Sequence, residues 1–138
     1  MTRAEREACR LAAQYGEHDP ERLAEYLHML VLVCDLPETV DGFYFCCGGR
    51  KILYLADRLP ACRRKAVCGH ELGHAVLHGD SNSLLLGDLS EKLEQEADLF
   101  AATLLLSGEL PEDCCDVQSI IRETGLPERA IRRVYHLL

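Results

Sequence analysis

Residues 68–80, CGHELGHAVLHGD, constrain this chain more than any other stretch. They set His70, Glu71 and His74 in the order His-Glu-x-x-His and add a third histidine at 78. An α-helix turns about 100° and rises about 1.5 Å per residue, so residues four apart lie about 40° apart around the axis and one turn apart along it. On a helix, His70 and His74 therefore converge on one point. Glu71 sits about 100° round from His70, where it reaches a water at that point rather than sharing the ligand direction. Two imidazoles with an open position suit Zn²⁺, and a carboxylate beside them suits a general base. The plain alternative is a helix that happens to expose two histidines. A catalytic zinc takes three protein ligands, so a fold that uses this helix must press a further donor against it.

The sequence offers that donor in LEQEADLF, where Glu94 and Asp98 are again four apart. The spacing from His74 to Glu94 leaves room for a helix end, a loop and the start of an antiparallel helix. Glu94 is the expected third ligand. Asp98, one turn on, is expected to accept a hydrogen bond from the outer N–H of a ligating histidine, which fixes its tautomer. The competing view makes Glu94, Glu96 and Asp98 solvent-facing charges. Against it, Glu94 and Asp98 border the apolar stripe of Leu89, Leu93, Ala97, Phe100, Ala101 and Leu104, while Glu91, Lys92 and Gln95 supply the outer face. His78 lies about 12 Å along the axis from His70, too far for three ligands on one straight helix to close on one ion. It is expected to bond backbone or the groups around the ligands. His18, His28 and His136 have no partners at ligand spacing.

Local signals supply the frame. Thr2 with Glu5 forms a capping box and Gly16 a stop, giving a helix over 3–15. Asp19-Pro20 opens a second helix, and Leu23, Leu27 and Leu30 at helical spacing predict that it runs to about residue 34. FYFCC, GGR and KILYLAD read as two strands joined by a glycine turn. Leu59-Pro60 opens a helix over 61–78, which Gly79 ends. DSNS is a loop, Asp88 with Glu91 caps the next helix, and SGELPED breaks it. Two short helices follow, at 115–123 and 127–137. The expectation is an α+β fold: one mostly helical domain over 1–138, with a small antiparallel or mixed sheet against the His-Glu-x-x-His helix and a short helical pair over 115–138.

A formal net charge of −8 argues against direct nucleic-acid binding and against attraction to an anionic membrane. The basic runs Arg63, Arg64, Lys65 and Arg129, Arg132, Arg133 read as solvated faces. No apolar stretch is long enough to cross a bilayer and the first residues lack a signal-peptide pattern, so a cytoplasmic protein is expected. The eight cysteines are scattered without a CxxC, two pairs of them adjacent, and read as reduced, mostly buried small apolar residues.

HELGHAVLH followed by EQEADLFAATLLL resembles the ImmA/IrrE family of metallopeptidases. KILYLAD and DVQSIIRETGLPERAIRRV are similar to that family's strand before the active-site helix and to its C-terminal helix-turn-helix-like pair. The resemblance implies one Zn²⁺ per chain held by His70, His74 and Glu94, with Glu71 as catalytic base and Asp98, often Asn in the family, behind the ligands. His78 also matches a histidine common there. It implies an endopeptidase that hydrolyses a peptide bond with metal-activated water, acting on a cytoplasmic helix-turn-helix repressor of a mobile element or prophage. The alternative is a catalytically silent zinc module that acts by binding such a repressor, against which the intact Glu71 counts. A deformylase-like hydrolase and a DNA-binding regulator built on the C-terminal arginines are weaker rivals. An oxyanion donor is sought among Tyr54, Tyr135 and His78, and a substrate strand is expected to add to the sheet edge at ILYL. Gly69, where the family has Ala or a bulkier residue, and LLLSGEL in place of LLMP depart from the family pattern.

Overall fold

The chain enters its first helix, α1 (Arg3–Tyr15), through the capping box read from the sequence. The Thr2 hydroxyl accepts from the Glu5 amide, and the Glu5 carboxylate accepts from the Thr2 amide. It leaves at Gly16, whose φ of 61° is left-handed, where glycine carries no Cβ penalty. These and the following features belong to a computed structural model that describes residues 1–79 and 91–137. The expected DSNS loop and the Asp88 cap lie outside the described residues.

Helix α2 (Pro20–Tyr26) begins as expected, with the Asp19 side chain accepting from the Glu21 amide. It stops well short of residue 34. His28 takes a left-handed φ of 60° and turns the chain, and Leu30–Cys34 forms strand β1. This corrects the longer helix. Leu30 fits the helical spacing, but LVLVC is a β-branched, apolar run that fits a strand once a partner is present. The partner is distant in sequence. β1 pairs in parallel with β3 (Arg50–Ala56), and β2 (Gly42–Cys47) pairs with β3 in antiparallel fashion through the Gly48-Gly49 turn. The sheet is mixed, in the order β1-β3-β2. β3 therefore lies in the middle. The ILYL segment is not a sheet edge, and a substrate strand cannot add there.

One face of the sheet packs on the helices. Tyr44, Leu53 and Leu55 are fully buried against Leu23, Leu72, Phe100 and Leu104, and burying each such side chain contributes about 1.5–3 kcal/mol. Leu30, Leu32 and Val33 of β1 stay substantially exposed. Helix α3 (Ala61–Leu77) runs through the centre and α4 (Glu91–Leu106) lies against it. α4 serves two clusters. Phe100 and Leu104 face the sheet-side core, while Ala101, Ala102 and Leu105 face α5 (Val117–Thr124) and α6 (Glu128–Leu137) through Ile120, Leu126, Ile131 and Val134. The architecture is the expected α+β one.

The two basic runs do more than face solvent. Arg64 makes a two-bond pair with Glu21 at 2.8 and 3.1 Å, tying α3 to α2. Arg133 reaches the buried Glu5 carboxylate at 3.0 Å, tying α6 to α1. All eight cysteines are free.

Candidate metal centre

Two glycines decide how closely α3 and α4 approach. Gly69 and Gly73 are one turn apart on α3 and meet Ala101 and Ala97, one turn apart on α4. The pairing of low with high numbers makes the helices antiparallel. A Cβ on Gly73 would lie 3.1 Å from Phe100 Cβ and 3.2 Å from both Ala97 Cα and the Ala97 carbonyl oxygen. One on Gly69 would lie 3.1 Å from Ala101 Cβ. This small-residue seam explains Gly69, the residue that departs from the family's usual pattern. It was not singled out in the sequence, although Gly and Ala at matching four-residue spacing on two helices are its readable signal.

The close approach brings His70, Glu71 and His74 from α3 to Glu94 and Asp98 from α4. The Glu94 carboxylate bridges the two imidazoles, with Oε2 3.0 Å from His70 Nε2 and Oε1 2.9 Å from His74 Nε2. The rings stand edge to face, 4.8 Å between centroids. The outer nitrogens are engaged too. His70 Nδ1 lies 2.8 Å from Asp98 Oδ1, and His74 Nδ1 lies 2.8 Å from His78 Nδ1. The ligand-capable atoms of His70, His74 and Glu94 all lie within 4.8 Å of one another, so these residues can hold a metal ion. Two imidazole nitrogens and one carboxylate oxygen, with both Nε2 atoms aimed at the same carboxylate, are a donor set that fits a borderline divalent cation such as zinc.

Charge follows this geometry. Burial disfavours a charged His70, but its hydrogen bonds to Asp98 and Glu94 outweigh that and push its pKa up to about 10. The same contacts to His70 and then His74 hold the Glu94 carboxyl far below the usual carboxylate range. His78 goes the other way, lowered by burial and by the neighbouring His74. Its Nε2 is buried and lies 3.9 Å from Glu96 Oε2, beyond hydrogen-bond length.

A cleft of about 410 Å³ opens beside the cluster. His70, Glu71, Glu94 and Asp98 form one end. Its other walls come from the entrance to β2 at Asp41, Gly42 and Phe43, from Arg63 on α3, and from the turn between α5 and α6 at Gly125 and Leu126. None of those wall residues was picked out in the sequence as part of a site, because they are brought together only by the packing of three separate segments. Tyr54, Tyr135 and His78 are not among the lining residues. The Tyr54 ring stacks on Phe43 with centroids 4.5 Å apart, and Tyr135 is exposed on α6.

An α+β domain in which a His-Glu-x-x-His helix meets a carboxylate-bearing helix has the architecture of a metallopeptidase-like protein. The chain belongs to the IrrE N-terminal-like domain family, a peptidase family whose model matches residues 24–133. It is also similar to the uncharacterized immunity region protein 2 of Bacillus phage phi105, at 35% identity over 101 residues, which is 70% of this chain. The matched part is 64% of that relative, less than two thirds of its length. No solved structure matches the chain. No helix among the described residues is long and apolar enough to cross a membrane.

Proposed function

We propose that the protein is a zinc-dependent endopeptidase, with His70, His74 and Glu94 holding one Zn²⁺ and Glu71 acting as general base. The observation that carries this reading is the convergence of both Nε2 atoms on Glu94 while both Nδ1 atoms are held from behind. When bound, zinc supplies Lewis acidity toward a peptide carbonyl and a nucleophilic water near neutral pH. Asp98 accepts from His70 Nδ1–H, which leaves Nε2 of that ring with the lone pair a ligand needs. His78 Nδ1 does the same for His74 as an acceptor. Glu71, in the cleft beside His70, takes the proton of the attacking water and returns it to the leaving amine. An extended substrate lies along the cleft, where the first residues of β2 offer it backbone groups.

The phage immunity-region relative supports a role within phage immunity, and on this reading the substrate is a helix-turn-helix repressor cleaved in the cytoplasm. Elemental analysis of protein purified without chelator tests the metal assignment. About one zinc per chain, falling sharply in Glu94→Ala, is the expected result. Zinc-loaded wild type should cut its repressor and Glu71→Gln should bind without cutting. Equal metal content in wild type and Glu94→Ala would remove the reading.

A further inference from the structure

Arg63 stands in the first turn of α3, where the helix dipole disfavours a cation. Its ion pair with Asp41, 3.2 Å long with the arginine side chain 46% exposed, stabilises the fold by little, because such surface pairs are worth about 0–1 kcal/mol. Asp41 has a second guanidinium in any case. Arg58 donates to it at 2.8 Å and also to the backbone carbonyls of Glu38 and Val40, so Arg58 is committed to bracing this loop. Among the described residues that line the cleft, Arg63 is the one arginine or lysine. Arg63 is the arginine with donors to spare, because among the described residues its hydrogen bond goes to Asp41 Oδ2 alone.

Its position is also shaped. The guanidinium lies against Gly125, where a Cβ would meet Nη1 at 3.0 Å and Cζ at 3.3 Å, and it lines the same cleft as His70 and Glu71. Residues seven apart return to the same helix stripe, so Arg63 sits about 10 Å along α3 from His70. An extended peptide covers that distance in about three residues.

We infer that Arg63 is a specificity residue that receives an acidic side chain, Asp or Glu, two to three residues from the bond to be cut. This rests on the peptidase reading of the same cleft. The substrate carboxylate takes the free donors of Arg63 while Asp41, braced by Arg58, holds the guanidinium in place.

The test is a library of chymotryptic peptides from a bacterial proteome, incubated with zinc-loaded wild type, Arg63→Lys and Arg63→Glu and read by mass spectrometry. Zinc content and melting temperature confirm that each variant is folded. Asp and Glu should be enriched about three- to fivefold at one position near the cut, the range of a half-exposed ion pair. The enrichment should persist in Arg63→Lys and give way to Lys and Arg in Arg63→Glu. Identical cleavage profiles for wild type and Arg63→Glu would overturn the inference. A library left uncut by zinc-loaded wild type would refute the peptidase reading. Capture of the same peptides on immobilised protein then decides for Arg63 separately: acidic peptides held by wild type and not by Arg63→Glu support it, and equal capture rejects it.

Discussion

Replacing Gly73 with alanine sets two effects of known size against each other. Alanine is the better helix former by about 1 kcal/mol, because glycine loses more backbone entropy on folding. The added methyl, however, would sit 3.1 Å from Phe100 Cβ and 3.2 Å from Ala97 Cα and its carbonyl oxygen. Carbon contacts are comfortable at about 3.5–4.0 Å. Neither the Ala97 backbone nor the first side-chain carbon of Phe100 can swing aside, so α3 and α4 must part by about half an ångström. Overpacking of this kind costs about 1–3 kcal/mol. The net change is a destabilisation of about 0–2 kcal/mol, and in a domain of this size about 1 kcal/mol lowers the melting temperature by about 4 °C. The separation acts directly on the distance from His70 and His74 to Glu94, so zinc should bind about tenfold more weakly, comparable to losing a residue behind the ligands. Thermal melts with and without zinc, and chelator competition for affinity, measure both. A Gly73→Ala protein that melts higher and keeps wild-type zinc affinity would refute the idea that this glycine sets the helix spacing.

Asp98→Ala should lower zinc affinity by about 10- to 100-fold with little change in fold, since Asp98 fixes the His70 ring from behind; unchanged affinity in the competition assay would count against that role. Metal-free protein should be pH-sensitive in a defined direction. His70 is raised from 6.5 to about 10, so its contribution to stability is complete below pH 6.5 and is lost as pH rises toward 10. Glu94 is depressed, so its contribution is present above about pH 4.5 and is lost as pH falls through its folded value. Melts in chelator should therefore weaken on both sides of a plateau between these limits. Added zinc should restore stability mainly on the alkaline side, where His70 gives up its proton to make room for the metal; flat melts from pH 6.5 to 10 without metal would contradict this. Arg133→Met should cost about 1–3 kcal/mol in a denaturant melt, because it leaves the buried Glu5 carboxylate without its cation. A Glu5→Gln, Arg133→Met double variant should recover part of that loss.

Four helix ends were legible because they are written in local chemistry: Thr2 with Glu5, Gly16, Asp19-Pro20 and Pro60 each act within one turn of their own position. His70 with His74, and Glu94 with Asp98, were legible as pairs because helical spacing places each pair on one face of its own helix, while the seam of Gly69 and Gly73 against Ala101 and Ala97 is what brings the two faces together. β1 was not legible. Leu23, Leu27 and Leu30 satisfy a helix, and only the distant β3 decides that residues 30–34 are extended. The cleft walls were hidden for the same reason, since Asp41, Arg63 and Gly125 are far apart in the chain and share no period.

The sheet order has a consequence for how the chain assembles. β2 and β3 are neighbours in sequence, and a hairpin with a two-residue turn closes on a microsecond scale. β1 must instead find β3 across the whole hairpin, a non-local pairing whose loop-closure entropy is lost before any contact repays it. Until that pairing is made, LVLVC is an apolar segment without charges. Its bare backbone edge is a template to which another nascent chain can add; docking on β3 covers one side of the strand, and its other side remains the outer edge of the sheet among the described residues.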